Sequence, residues 1–167
     1  MCTAAKRLLS VLAFLLLAPS ACTQPPAPDT SEADISAIRG ITDQFDEAIN
    51  AGDFQAVADL YHENAIRMPA EAPAQIGKAA ILEWFRLERG QFEIEIDNIV
   101  REAEVFGDWG FARGDATGTL TARDGSGTRV IDSKWMSVSR RMADGSWKIH
   151  RDIYNRNVPA LSPEGMN

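Results

Sequence analysis

Few side chains in this chain stand in arrangements that do chemistry. The two histidines, His62 and His150, lie in separate segments without the spacing of paired metal ligands, so no metal site is expected and both read as surface or edge residues. Cys2 and Cys22 are the only cysteines and no Gly-x-Ser-x-Gly turn occurs, which leaves nucleophilic catalysis without a candidate. The glycine-rich stretch Asp124-Gly125-Ser126-Gly127 lacks a following helix and lysine; it reads as a hairpin turn, not a phosphate cradle. What remains is acid-base and polar chemistry. Asp115, Asp132 and Tyr61 could exchange protons, and Arg113, Arg151 and Asn155 could hold a polar group.

Those residues depend on elements whose periods change along the chain. Ile35, Ile38, Ile41, Phe45, Ala48 and Ile49 recur at helical spacing, with Ser31 or Asp34 to cap the start and Gly52 to stop the helix. Asp53 caps a second, shorter helix with Phe54, Val57, Leu60 and Tyr61 on one face. A short strand from Ala65 to Met68 ends at Pro69, and helical spacing returns from Lys78 to Arg89 with Ile81, Leu82, Trp84 and Phe85. The period then becomes two. Strands are expected at 92–106, 109–122, 128–142 and 147–156, joined by turns that offer glycine where a hairpin needs positive φ. Helices followed by a meander predict an α+β domain, with helices on one face of a curved antiparallel sheet that closes as a cone-shaped barrel, open at one end. In the last strand Trp147, Ile149, Arg151, Ile153 and Asn155 share one face. If Trp147 and Ile149 face the helices, Arg151 and Asn155 reach the mouth of the cone. An arginine on that otherwise apolar face must then meet an internal carboxylate such as Asp115 or Asp132, or the anion of a ligand. Asp152 falls on the opposite face. It is expected in a dimer contact or a turn.

The first residues carry an address. Lys6 and Arg7 precede an apolar run from Leu8 to Ala18 and then Pro19-Ser20-Ala21-Cys22, the pattern of a secretory signal peptide. At 11 residues the run falls short of the roughly 20 that span a bilayer. Cys22 after small residues resembles the acylated cysteine of bacterial lipoproteins, although Pro19 stands where that pattern prefers leucine. The chain thus divides into a signal peptide at 1–21, a proline-rich tether at 22–33, a domain at 34–158 and a tail at 159–167. Removing Lys6 and Arg7 takes the net charge from −7 to −9, two positive charges fewer. So acidic a chain is a poor ligand for nucleic acid or an anionic membrane surface, and the lipid would be its only membrane attachment.

An ordered set of segments then identifies a family. Asn50-Ala51-Gly52-Asp53 through Leu60-Tyr61, Ala65 to Pro69, Gly77-Lys78 through Trp84-Phe85, Arg113-Gly114, and Asp144-Gly145-Ser146-Trp147 through Asn155 resemble the SnoaL-like branch of the nuclear transport factor 2-like superfamily. The resemblance covers roughly residues 35 to 158. It implies a conical α+β barrel, usually a homodimer through the outer face of the sheet, in a superfamily that spans ketosteroid isomerases, polyketide cyclases and non-catalytic association domains. The isomerases carry a catalytic aspartate just before the proline that ends the first short strand. Here Met68 precedes Pro69, and a thioether cannot abstract a proton.

The function expected from the sequence is binding of a small apolar or amphipathic molecule in the cone, without chemistry and without a cofactor, by an exported protein anchored in the cell envelope and facing the periplasm. The alternatives are an isomerase, cyclase or hydratase that uses Asp132, Asp115 or Tyr61, and a protein-association module. A pocket is expected from Tyr61, Met68, Trp84, Phe85, Met136 and Ile149, with Arg113, Arg151, Asn155 and Asp132 supplying polar contacts. The enzyme alternative requires a carboxylate of raised pKa inside the cone.

Overall fold

A computed structural model describes residues 32–157 apart from 71, so the expected signal peptide, Cys22, nearly all of the tether and the tail lie outside the described residues. Helix α1 (Glu32–Asn50) carries the expected apolar stripe, and Gly52, at φ 71°, ends it in the left-handed conformation that glycine adopts without strain. Asp53 caps α2 (Phe54–Asp59) by accepting from the Ala56 amide at 2.9 Å. Then come β1 (Tyr61–Met68), the two-residue β2 (Gln75–Ile76), α3 (Lys78–Trp84) with a π-helical extension (Phe85–Arg89), β3 (Phe92–Phe106), β4 (Trp109–Ala122), β5 (Thr128–Arg141) and β6 (Trp147–Arg156). No described helix is long and apolar enough to cross a membrane.

Three boundaries differ from the periodicity. Tyr61 opens β1 instead of closing α2, because pairing with Ile149 on β6 captures it and the residues after it. The helix over 78–89 loosens into a π turn at Phe85, and β2 is too short to show a period. The sheet is mixed, not purely antiparallel. Its order is β2-β1-β6-β5-β4-β3, with β1 parallel to β6 and every other pair antiparallel.

Helices α1 and α3 pack on the concave face, around a core that includes Ile38, Ile49, Val57, Ile81 and Phe85 from the helices and Tyr61, Val105, Ala112, Trp147 and Ile149 from the strands. Trp147 anchors the junction. Its indole nitrogen donates to Asp34 Oδ1 at 3.2 Å, and the Arg141 guanidinium lies over its ring while binding both oxygens of Asp34 at 2.6 Å. At the far edge, α1 covers the middle of β3: the Asn50 amide accepts from the Ile96 amide and donates to its carbonyl, and Asp46 accepts from the Asn98 amide at 2.8 Å. An edge strand otherwise open to another chain is thereby partly satisfied.

One irregularity decides which residues face inward. Val138 on β5 opposes Arg151 on β6, but Ser139 opposes Ile149, so His150 is an extra residue, a β-bulge. Past the bulge the alternation shifts by one. Trp147 and Ile149 point to the core as expected; beyond them Asp152, Tyr154 and Arg156 point inward, and Arg151, Ile153 and Asn155 outward.

Candidate functional site

Between α1, α3 with its extension, and the concave sheet lies a cavity of about 440 Å³. Its walls are apolar, from Phe45, Ile49, Phe85, Phe92, Ile94 and Trp135 among others. Its depth is polar. Tyr61 and Arg67 on β1 face Asp152 on β6, and Arg67 pairs in register with Asp152 across the parallel strands. The Tyr61 hydroxyl donates to Asp152 Oδ2 at 2.8 Å. Arg67 Nε lies 3.3 Å from the same oxygen, close enough for an ion pair but without the alignment of a hydrogen bond, so that Nε and Nη1 are both buried with no hydrogen-bond partner. Asp152 Oδ1 takes no hydrogen bond among the described residues, and the side chain keeps 15% of its surface exposed.

Aromatic faces hold the arginine in place. Its guanidinium carbon lies 4.4 Å from the Trp84 ring centroid, 4.7 Å from Phe85 and 5.1 Å from Tyr154, and only 4% of the residue is exposed. Arg89, at the end of the π turn, donates to the Tyr154 hydroxyl at 3.0 Å and stacks 5.0 Å from Trp84. Exposure rises from here to the rim, where Arg129, Asp132 and Arg156 are all exposed and Asp132 accepts from the Asn157 amide at 2.7 Å.

Burial sets the proton affinities. Desolvation raises the Asp152 carboxyl above its ordinary 3.8, more than the Arg67 charge and the Tyr61 hydrogen bond lower it. Desolvation also raises Tyr61 well above 10.0, with the Asp152 charge adding to it. Arg67 is nevertheless held protonated: burial alone would lower it, but Tyr61, Asp152 and Tyr154 raise it further. The deep end therefore contains a fixed cation, a phenol that keeps its proton, and a carboxylate readier than usual to accept one.

Of the residues expected to form the site, Tyr61, Trp84, Phe85 and Ile149 line the cavity and Asp132 stands at its rim. The other five do not. Arg151 and Asn155 are turned outward by the bulge at His150, and Arg151 bonds the His150 carbonyl at 2.7 Å. Arg113 and Met136 oppose each other on the outer face, where Arg113 pairs with Glu102 and Met136 is 42% exposed, because β4 gives its small residues, Ala112, Gly114 and Ala116, to the interior. Met68 shares the outer side with Ile153; its neighbour Arg67 takes the inward position. Asp115 pairs with Arg101 at 2.7 Å and leaves the interior without its charge. Trp109, at the start of β4, is 42% exposed. His62 and His150 meet edge to face, ring centres 5.1 Å apart, and no cluster of three potential metal ligands exists among the described residues.

Asp152, expected in a dimer contact or a turn, lies inside the cavity instead, and Arg67, Tyr154 and Arg89 are not singled out by the sequence. The alternation Trp147, Ile149, Ile153 reads through the bulge unbroken, so nothing in the residue types marks the shift; for Arg67, the parity of the strand ending at Pro69 was the only available signal.

The sequence pattern of the SnoaL-like domain matches residues 41–150. The chain belongs to this family. Solved structures place it in the same fold. A ketosteroid isomerase-like protein from Erwinia carotovora atroseptica aligns with a TM-score of 0.71 at 22% identity, over 77% of this chain and 100% of that one. A conserved protein from Planctomyces limnophilus gives 0.69 at 25%, over 77% and 99%. A candidate dehydratase of the nuclear transport factor 2-like family from Streptomyces avermitilis gives 0.64 at 18%, over 76% and 98%. No curated protein matches the chain. The SnoaL-like fold thus accounts for the cone, and its interior must be read from its own residues.

Proposed function

We propose that this SnoaL-like domain is an acid-base enzyme acting on a small amphipathic carbonyl compound, in the manner of an isomerase or a dehydratase. The observation that carries the reading is Asp152, a carboxylate of raised proton affinity deep in a cavity whose walls are largely aromatic and aliphatic. Binding without chemistry would be served by an apolar cavity with few ionisable groups, and the Tyr61-Arg67-Asp152 cluster is costly to bury for that purpose alone. In the proposed reaction Asp152 Oδ1 removes a proton from the carbon beside a carbonyl. The Arg67 guanidinium, ion-paired with Asp152 but making no hydrogen bond from Nε or Nη1, takes the oxygen on which negative charge develops. Tyr61 holds the other carboxylate oxygen and fixes the orientation of the base. The solved relatives described as isomerase-like and dehydratase-like are consistent with such chemistry, although at their identities they speak only for the fold.

Solvent exchange tests this without knowledge of the natural substrate. A panel of aryl and alicyclic ketones in D2O should acquire deuterium beside the carbonyl at least about 100-fold faster with wild type than with Asp152→Asn. Equal rates for the two proteins across the panel would refute the assignment.

We also infer that the protein works as a lipid-anchored homodimer in the cell envelope, on the strength of the apolar run before Cys22 and of Met136 and Ile153, exposed side by side on the outer face of the sheet. Wild type should partition into detergent and Cys22→Ser should not; identical partitioning would remove the anchor.

A further inference from the structure

The cavity opposes the charge of its own chain. Four guanidinium groups line it, from Arg67, Arg89, Arg129 and Arg156, against two carboxylates, Asp132 and Asp152, in a chain whose net charge is −7. Asp152 faces Arg67 at the deep end. Arg89 and Arg129 stand nearer the mouth, and neither forms an ion pair among the described residues: Arg89 donates to the Tyr154 hydroxyl, and Arg129 lies 4.8 Å from the Phe92 ring centre. Arg67 and Arg129 are close enough to Arg89 to make its charge less favourable. Like charges gathered around a partly desolvated space, with two of them lacking a counter-charge, suit an anion that enters the space with the ligand.

We propose that the ligand of this cavity is a monocarboxylate with a ring-sized apolar body, its carboxylate held by Arg89 and Arg129 at the mouth and its carbonyl oxygen on Arg67 at the floor. The walls between the two ends, Phe45, Phe92, Trp84 and Trp135, accommodate the apolar body. Charge at one end and a polarisable oxygen at the other fix the ligand's direction in the cone, so the carbon beside the carbonyl is presented to Asp152. The proposal rests on the acid-base reading for the role of the floor. The carboxylate at the mouth is independent of that reading and can fail separately.

The test uses 4-acetylbenzoate, whose ring lies between its ketone and its carboxylate, and its uncharged carboxamide, titrated by calorimetry against the wild type, Asp152→Asn, Arg129→Gln and the Arg89→Gln/Arg129→Gln pair. Arg129 is exposed, so Arg129→Gln leaves the fold intact even if the change at Arg89 does not. The acid should bind wild type roughly tenfold or more tightly than the amide, the preference should weaken as salt is added, and Asp152→Asn should retain it. Arg129→Gln should reduce the preference, and the double variant should bring acid and amide to within about twofold. Equal binding of acid and amide to wild type, no saturable binding of the acid, or a preference that survives in Arg129→Gln and in the folded double variant would overturn the proposal. Loss of the exchange reaction in Asp152→Asn with acid preference intact would separate the catalytic claim from this one.

Discussion

At the scale of single residues, Asp152 and Trp147 sit on the same strand and do opposite work. Asp152 is a group that the fold tolerates: burial holds it above its ordinary proton affinity, and Arg67 and Tyr61 only partly compensate. Trp147 is a group that the fold requires, buried at the junction of α1, β5 and β6 and tied to Asp34 and Arg141. Trp147→Ala should therefore destabilise the domain by about 3–5 kcal/mol in urea unfolding, through the cavity it leaves and the loss of its anchor to α1. A loss below about 1 kcal/mol would mean that the junction does not depend on the indole. Trp147 was legible in the sequence, because an aromatic residue at the head of an alternating strand after a tight turn has one sensible place to go. Asp152 was not. Its position depends on whether one residue bulges, and residue type alone does not encode that.

At the scale of elements, strand lengths and helical stripes followed from periodicity, whereas phase did not. All four long strands lie within a residue of their expected bounds, since alternation and glycine turns are local properties. Which face of a strand turns inward is a property of its neighbours. The His150 bulge moved Arg151 and Asn155 outside, and the parity of β1 placed Arg67 inside where Met68 had been expected. The same shift gives the outer face a partly apolar character, with Met136 42% and Ile153 38% exposed and opposite each other in register. If that face joins two copies, sedimentation at micromolar concentration should show a dimer for wild type and a monomer for Met136→Lys/Ile153→Lys, with the melting temperature of the isolated fold little changed. A monomeric wild type, or a double variant that stays dimeric, would place the interface elsewhere or remove it.

At the scale of the molecule, an acidic domain encloses a cavity richer in arginine than in carboxylate, and the cavity ends at a carboxylate that resists ionisation. This arrangement links stability to pH in a definite direction. A carboxyl whose folded pKa is raised contributes stability that is fully present below its unfolded value near 3.8, and that is lost as pH rises through the folded value. The unfolded chain, by then ionised, binds fewer protons than the folded one. The same ionisation creates the base, so proton abstraction and the loss of this stability should follow one titration. The most direct test is carbon-13 NMR titration of the aspartate side-chain carboxyls in wild type and Asp152→Asn. One carboxyl present only in wild type should titrate above 3.8, at the pH where ketone exchange switches on. A carboxyl assigned to Asp152 that titrates at or below 3.8, or an exchange profile that does not follow it, would contradict the account.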